Sequence, residues 1–224
     1  MIKNIYNLGD AALYCDFGDT VNKETNLKVI NYFNDIREKN ITGIKNIAPS
    51  YNKLIIYFDL ELTNYKKIKD TVENLDISTF KSVKTKKVKM PVCFDDEFAL
   101  DLERVEKKVG LGKKEIVNQL ISQKYFCYMT GFIAGMPFLG DLDENMRAQR
   151  LETPRVKVPK GSVALTEQFA NIYTFESPGG WNILGNTPLD VFDSSKEDKP
   201  NLINPGDTVI FREITLDQYK NYND

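Results

Sequence analysis

From Tyr125 onward the apolar residues come in short bursts: YFCYM, KVPKGSVAL, ANIYTF, WNILG, LDVF and DTVIF. Glycine and proline cut each burst off before a helix-length pattern can build. Glycine weakens regular elements and proline interrupts them, so this stretch excludes long helices. Many short strands at such spacing predict a sheet closed into a barrel, because closure removes the unpaired strand edges.

The residues before it follow other periods. Ala12 to Phe17 puts Leu13, Cys15 and Phe17 on one face at period two, which predicts a strand. The following NKETNLKVINYFNDIREKN sets Val29, Ile30, Phe33 and Ile36 on one helical stripe that Asn40 can end. GIKNIAPS and LIIYF predict two strands around a turn at Ser50–Asn52. TNYKKIKDTVENL predicts a second helix, with Thr63 as its cap and Tyr65, Ile68, Val72 and Leu75 inward. A strand from about Phe80 to Val88 would complete a βαββαβ sandwich. Two short helices follow: Leu102, Val105 and Val109 mark one that stops at Gly110, and Ile116, Val117, Leu120 and Ile121 mark the other. The expected class is α+β, with an N-terminal α/β sandwich over residues 1–86 and a β-barrel domain over 87–224.

Lys81, Lys84, Lys86, Lys87 and Lys89 form a basic run at that junction. It reads as a phosphate site or as a solvated strand face. The alternation of Lys87 and Lys89 with Val88, Met90 and Val92 fits the second.

Composition narrows the chemistry. The net charge of −2 gives no global attraction to nucleic acid or to an anionic membrane. No apolar run is long enough to span a bilayer, and the N-terminus lacks the pattern of a signal peptide. A cytoplasmic setting is expected, with Cys15, Cys93 and Cys127 as free, buried thiols. The chain has no histidine, which removes Ser-His-Asp and Cys-His catalysis and histidine-ligated zinc. Asp141, Asp143 and Glu144 are too tightly spaced for a calcium loop, and Asp95, Asp96 and Glu97 read as surface carboxylates, so no metal is expected.

Three segments break the regular pattern. GFIAGMPFLG, Gly131 to Gly140, makes neither helix nor strand. It can present backbone N–H groups to an anion, or it can be a corner of the barrel. In TPRVKVPKGSVAL the Arg155 guanidinium lies between two prolines and suits either a bound carboxylate or a structural ion pair. In ESPGGWNILGNTPL a turn precedes the only tryptophan, Trp181, which is either a pocket wall or a core residue.

Taken in order, GDAALYCDFGD, IAPSYNKLIIYFD, GFIAGMPFLG, TPR, VPKGSV, IYTFESPGGW, GNTP and NPGDTVIF resemble the group formed by the B subunit of 5-oxoprolinase, KipI and allophanate hydrolase subunit 1. The resemblance covers nearly the whole chain. It departs from the group at Ala134, Gly135 and Met136, where Pro-Gly-Phe is usual. It departs also at Leu120, where many members carry histidine, at Phe169, Ala170 and Asn171 in place of Gln-Thr-Gly, and at Asn186 in place of Arg.

The resemblance implies a cyclophilin-like β-barrel after the α/β domain. It implies a homologous second, carboxyltransferase-like subunit, and a third protein, that together open 5-oxo-L-proline to L-glutamate or form a related allophanate or urea amide-processing complex. ATP would act at the assembled complex, with no cofactor bound by this chain alone. A non-catalytic inhibitor of a sensor histidine kinase is the alternative. The candidate substrate-binding residues are Gly131, Phe132, Gly135, Pro137, Arg155, Tyr173, Ser177, Pro178, Gly179, Gly180 and Trp181; no catalytic residue is assigned. They are expected to meet at one concave site, with Phe132, Met136 and Phe138 exposed beside it.

Overall fold

A computed structural model describes residues 1–76, 85–197 and 199–222. The chain divides into two compact units, Met1–Lys84 and Thr85–Asp224.

In the first unit, strands β1 (Asn4–Asn7), β2 (Ala12–Asp16), β3 (Ile44–Pro49) and β4 (Lys53–Phe58) form an antiparallel sheet in the order β1-β2-β4-β3. Period-two alternation turns Leu13, Cys15, Leu54, Ile56 and Phe58 to one face. Helix α1 (Lys23–Lys39) lays Val29, Tyr32 and Ile36 on that face, and α2 (Tyr65–Glu73) adds Ile68 and Val72. Asn22 caps α1 by accepting from the Thr25 N–H at 2.8 Å, and Asn40 ends it in the left-handed region, at φ 45°. The cap of α2 is Asn64, one residue past the predicted Thr63. Inside α1 the buried Asn26 donates to the Ser50 and Tyr51 carbonyls at 2.9 and 2.7 Å, tying the β3–β4 turn to the helix.

The βαββαβ expectation needs correction at its last strand. Residues 80–84, with Lys81 and Lys84 of the basic run, lie outside the described residues, while Lys87 and Val88 belong to the second unit's sheet. The edge place beside β2, which such a sandwich gives its final strand, is taken by β1. A short turn links β1 to β2, so this pairing closes only a small loop.

The second unit is built on a seven-stranded sheet. Its strands are β5 (Lys87–Val92), β6 (Tyr125–Thr130), β7 (Pro137–Gly140), β9 (Ser162–Thr166), β10 (Phe169–Ile172), β12 (Asn182–Asn186) and β13 (Thr208–Glu213), in the order β12-β9-β10-β7-β6-β13-β5. Just past the end of β5, Cys93 exchanges two backbone hydrogen bonds with Asn186 of β12, at 2.8 and 3.0 Å. That bridge brings the two ends of the sheet together as a nearly closed barrel. Gly185 permits the approach, since a Cβ there would come within 2.6 Å of the Cys93 carbonyl oxygen.

The inward residues of this sheet, among them Met90, Val92, Cys127, Leu139, Val163, Leu165, Ile172 and Phe211, form one core with helices α3 (Leu102–Val109) and α4 (Lys113–Ser122). Gly110 stops α3 at φ 72°, as its position predicts. A short helix α5 (Leu216–Lys220) follows β13. Among the described residues, strands β8 (Arg155–Val158) and β11 (Ser177–Gly179) pair only with each other, as a separate two-stranded ribbon. All three cysteines are free and buried. Among the described residues no helix is long and apolar enough to cross a membrane.

Candidate functional site

Strict alternation gives the barrel sheet a second face. Residues between the core positions, Phe138 on β7, Ala164 on β9, Tyr173 after β10 and Ile183 on β12, point away from the core. They form a small apolar cluster with Met136, Val158, Ile133 and Trp181. The three Gly/Pro-rich segments all contribute: Ile133, Met136 and Phe138 come from the first, Val158 from the second and Trp181 from the third. The ring of Trp181 meets Phe138 edge to face at 5.6 Å.

The first segment is a tight turn between β6 and β7. Gly131 N–H donates to the Met136 carbonyl at 3.0 Å, and Pro137 is buried at the start of β7. Phe132 sits at φ 68° and is 69% exposed. Met136 is 1% exposed, so the expectation that it lies open is wrong: its side chain fills the apolar cluster. Gly135 has φ 69°, but the space beside its Cα belongs to Phe192, within 2.5 Å of where a Cβ would stand. Its lack of a side chain serves packing there.

Arg155 is spoken for. Its guanidinium forks onto the Asp101 carboxylate at 2.9 and 2.7 Å. Asp101 is 5% exposed, and its Oδ2 also accepts from the Ile183 N–H at 2.8 Å. This is the structural ion pair, the second of the two readings that its sequence left open. Asp101 stands at the N-cap place of α3 yet makes no side-chain cap, so nothing in the sequence distinguished it from an ordinary cap.

On the ribbon, Gly179 pairs with Arg155 and Ser177 with Val158. Gly179 covers the Tyr173 hydroxyl so closely that any Cβ would collide with it. Burial pushes the Tyr173 hydroxyl pKa up, partly offset by the Asn171 side chain, the Trp181 backbone and, less, the neighbouring Arg150 and Arg155 charges. Pro178 is exposed on the ribbon. Gly180 accepts from the Leu151 N–H at 2.7 Å and lies against the Arg150 guanidinium. Arg150 is exposed and makes no ion pair among the described residues.

The sequence reading missed one residue at the centre. Asn171 lies between Phe138 and Ala164 in the sheet and is 0% exposed. Neither Oδ1 nor Nδ2 makes a hydrogen bond of acceptable geometry. The Tyr173 hydroxyl is close enough to sense this carboxamide, but not to pair with it properly. Ser177 Oγ is likewise buried without a partner among the described residues. The available signal was the departure from Gln-Thr-Gly at 169–171.

Elsewhere, Tyr128 donates to both oxygens of Asp141, at 3.0 and 2.9 Å. Among the described residues no group of three acidic or thiol side chains is arranged to hold a metal.

Comparison with known proteins extends this geometry. The family model described as carboxyltransferase domain, subdomain C and D, matches residues 3–203. The B subunit of the Bacillus subtilis 5-oxoprolinase is 31% identical, over 98% of this chain and 96% of its own length. Its counterpart from Haemophilus influenzae is 29% identical, over 93% and 96%. Among solved structures, the protein TTHA0988 superposes with a TM-score of 0.82 at 29% identity, over 92% of this chain. The chain spans only 40% of the length of that solved chain.

Proposed function

Because the chain belongs to the carboxyltransferase family of subdomains C and D, we propose that it is one subunit of an amide-processing enzyme of the 5-oxoprolinase kind. The proposed reaction is ring opening of 5-oxo-L-proline to L-glutamate, driven by ATP at an assembled complex. The partners are a homologous, carboxyltransferase-like second subunit and a third protein. The barrel unit takes the cyclophilin-like form, in the cytoplasm. The observation that carries this reading is the relationship to two bacterial 5-oxoprolinase subunits over nearly their full lengths.

The chemistry of the chain is compatible with that role. A lactam is a poor electrophile, because its nitrogen lone pair is delocalised into the carbonyl. Its opening needs activation by a second reactant, together with a site that holds the ring still. With no histidine in the chain, this subunit's share is holding and orienting. The apolar cluster of Phe138, Ala164 and Trp181 suits the ring methylenes. Gly131, Phe132, Gly135, Pro137, Tyr173, Ser177, Pro178, Gly179, Gly180 and Trp181 shape the walls, and Arg155 fixes the ribbon from behind.

The test is co-expression with the candidate partner subunits, followed by measurement of glutamate released from 5-oxo-L-proline. Release that requires ATP and all subunits supports the proposal. A soluble, assembled complex without turnover overturns it.

A second reading, inhibition of a sensor histidine kinase, draws on the exposed Phe132 and Val156, at 69% and 81%. Loss of the kinase's autophosphorylation on adding this chain would support that reading.

A further inference from the structure

We propose that the buried Asn171 carboxamide is the recognition group for a small lactam bearing a carboxylate, and that the Arg150 guanidinium receives the carboxylate. This deepens the function proposed above and rests on it for the identity of the lactam.

The argument starts from an imbalance. A carboxamide carries an acceptor oxygen and a donor nitrogen side by side in one plane. At Asn171 both are buried, and among the described residues neither makes a hydrogen bond of acceptable geometry, the nearby Tyr173 hydroxyl included. Burying an unpaired amide is unfavourable, and native chains almost always pair such groups. A partner that satisfies both atoms at once must offer its own N–H and C=O on the same side. Open-chain secondary amides are trans and point these groups in opposite directions. A small ring holds its amide cis, so a lactam can make two parallel hydrogen bonds with Asn171 where a peptide cannot.

The surroundings fit the rest of such a molecule. Phe138 and Ala164 flank Asn171 in the sheet and offer apolar contact. Ser177 Oγ, buried and unpaired, is a further polar partner on the covering ribbon. Arg155 is held by Asp101 and is not available to a ligand. Arg150 carries no ion pair among the described residues, stands beside Gly180 on the same side, and is close enough to Tyr173 to act on its charge state. Entry requires the β8–β11 ribbon to lift. It is suited to that, since its strands are hydrogen-bonded as a sheet only to each other. It is held to its surroundings by the Arg155–Asp101 pair and the Leu151–Gly180 hydrogen bond.

The experiment is calorimetric titration of the full chain, alone and in complex with its co-purified partner subunit, using three probes. 5-Oxo-L-proline has both features, L-proline lacks the lactam carbonyl, and 2-pyrrolidone lacks the carboxylate. The expected result is binding of 5-oxo-L-proline, with each of the others weaker by roughly tenfold or more, as for two lost hydrogen bonds or one lost charge-assisted bond. Asn171→Leu should erase the preference over L-proline, and Arg150→Gln the preference over 2-pyrrolidone. If Asn171→Leu does not fold, Asn171→Asp keeps the shape but opposes the lactam carbonyl with a carboxylate, and should lose binding by a similar factor.

No binding in either preparation, or equal binding of the three probes, overturns the proposal. So does a crystal structure in which an ordered water bridges Asn171 and stays after soaking with 5-oxo-L-proline. Turnover by an Asn171→Leu complex with unchanged KM would sink this inference and leave the proposed function standing. Absence of turnover in the wild-type complex would sink the proposed function, while the titration still decides this one.

Discussion

Asn26 and Asn171 are both fully buried, one in helix α1 of the first unit and the other on strand β10 of the barrel. The carboxamide of Asn26 is put to use within the fold: its Nδ2 holds two carbonyls of the β3–β4 turn. The carboxamide of Asn171 has no such employment among the described residues. Equal burial therefore conceals unequal roles. A buried amide whose N–H donors are held is part of the scaffold, and one with neither atom properly paired lowers stability until something arrives to satisfy it. The first unit reads as a scaffold by this measure, and the outer face of the barrel is where binding is proposed.

The contrast can be broken most forcefully at the ribbon. Arg155→Ala leaves Asp101 buried without its counter-charge and should lower the unfolding free energy by about 3 kcal/mol, read from urea denaturation. Unchanged stability with lost lactam binding would instead make Arg155 a ligand group. Asn26→Ala should destabilise by about 2 kcal/mol, because the Ser50 and Tyr51 carbonyls lose their donor.

A dry first-unit core can be probed by pH. Burial, with a smaller contribution from Glu73, raises the Cys15 thiol pKa to about 12. The unfolded thiol ionises near its ordinary value while the folded one keeps its proton. The contribution is thus fully present below about pH 9 and is lost as pH rises toward 12. Between about pH 9 and 10 the loss should be about 1 kcal/mol, and it should be absent in Cys15→Ala. Asn171→Leu should move the other way, stabilising the ligand-free chain by about 0.5–1 kcal/mol in thermal melts. A destabilised Asn171→Leu would erase the distinction between the two asparagines.

Much of the architecture was legible because it rests on periodicity. Strands β2, β3 and β4, helices α1 to α4 and the stops at Asn40 and Gly110 fall where period and capping place them. Strand β1 was not legible. Its NIYN is almost wholly exposed and pairs at an edge, so it carries no alternation to read. The parallel pairing of β5 with β13 joins residues far apart in the chain, and local patterns hold no record of it.

At the site, the gathering of three loops could be anticipated from their composition, but the partners could not. Asp101 captures Arg155, and Phe192 fills the space at Gly135. Both are long-range contacts that no spacing rule encodes. Asn171 was visible only as a departure from a resembling family.

Strand β13 lies between β6 and β5 in the barrel, yet it comes last in order among the strands of the described residues. A ribosome makes β5 early and must hold Val88, Met90 and Val92 without their neighbouring strand until residues 208–213 emerge. The first unit, complete in its own contacts long before, can fold while synthesis continues. A chain released short of Thr208 would therefore carry a finished first unit and a barrel missing the strand between β5 and β6. Such a fragment would be a natural client for chaperones and proteases. Premature termination near the C-terminus should consequently be far more damaging to yield than its small loss of residues suggests.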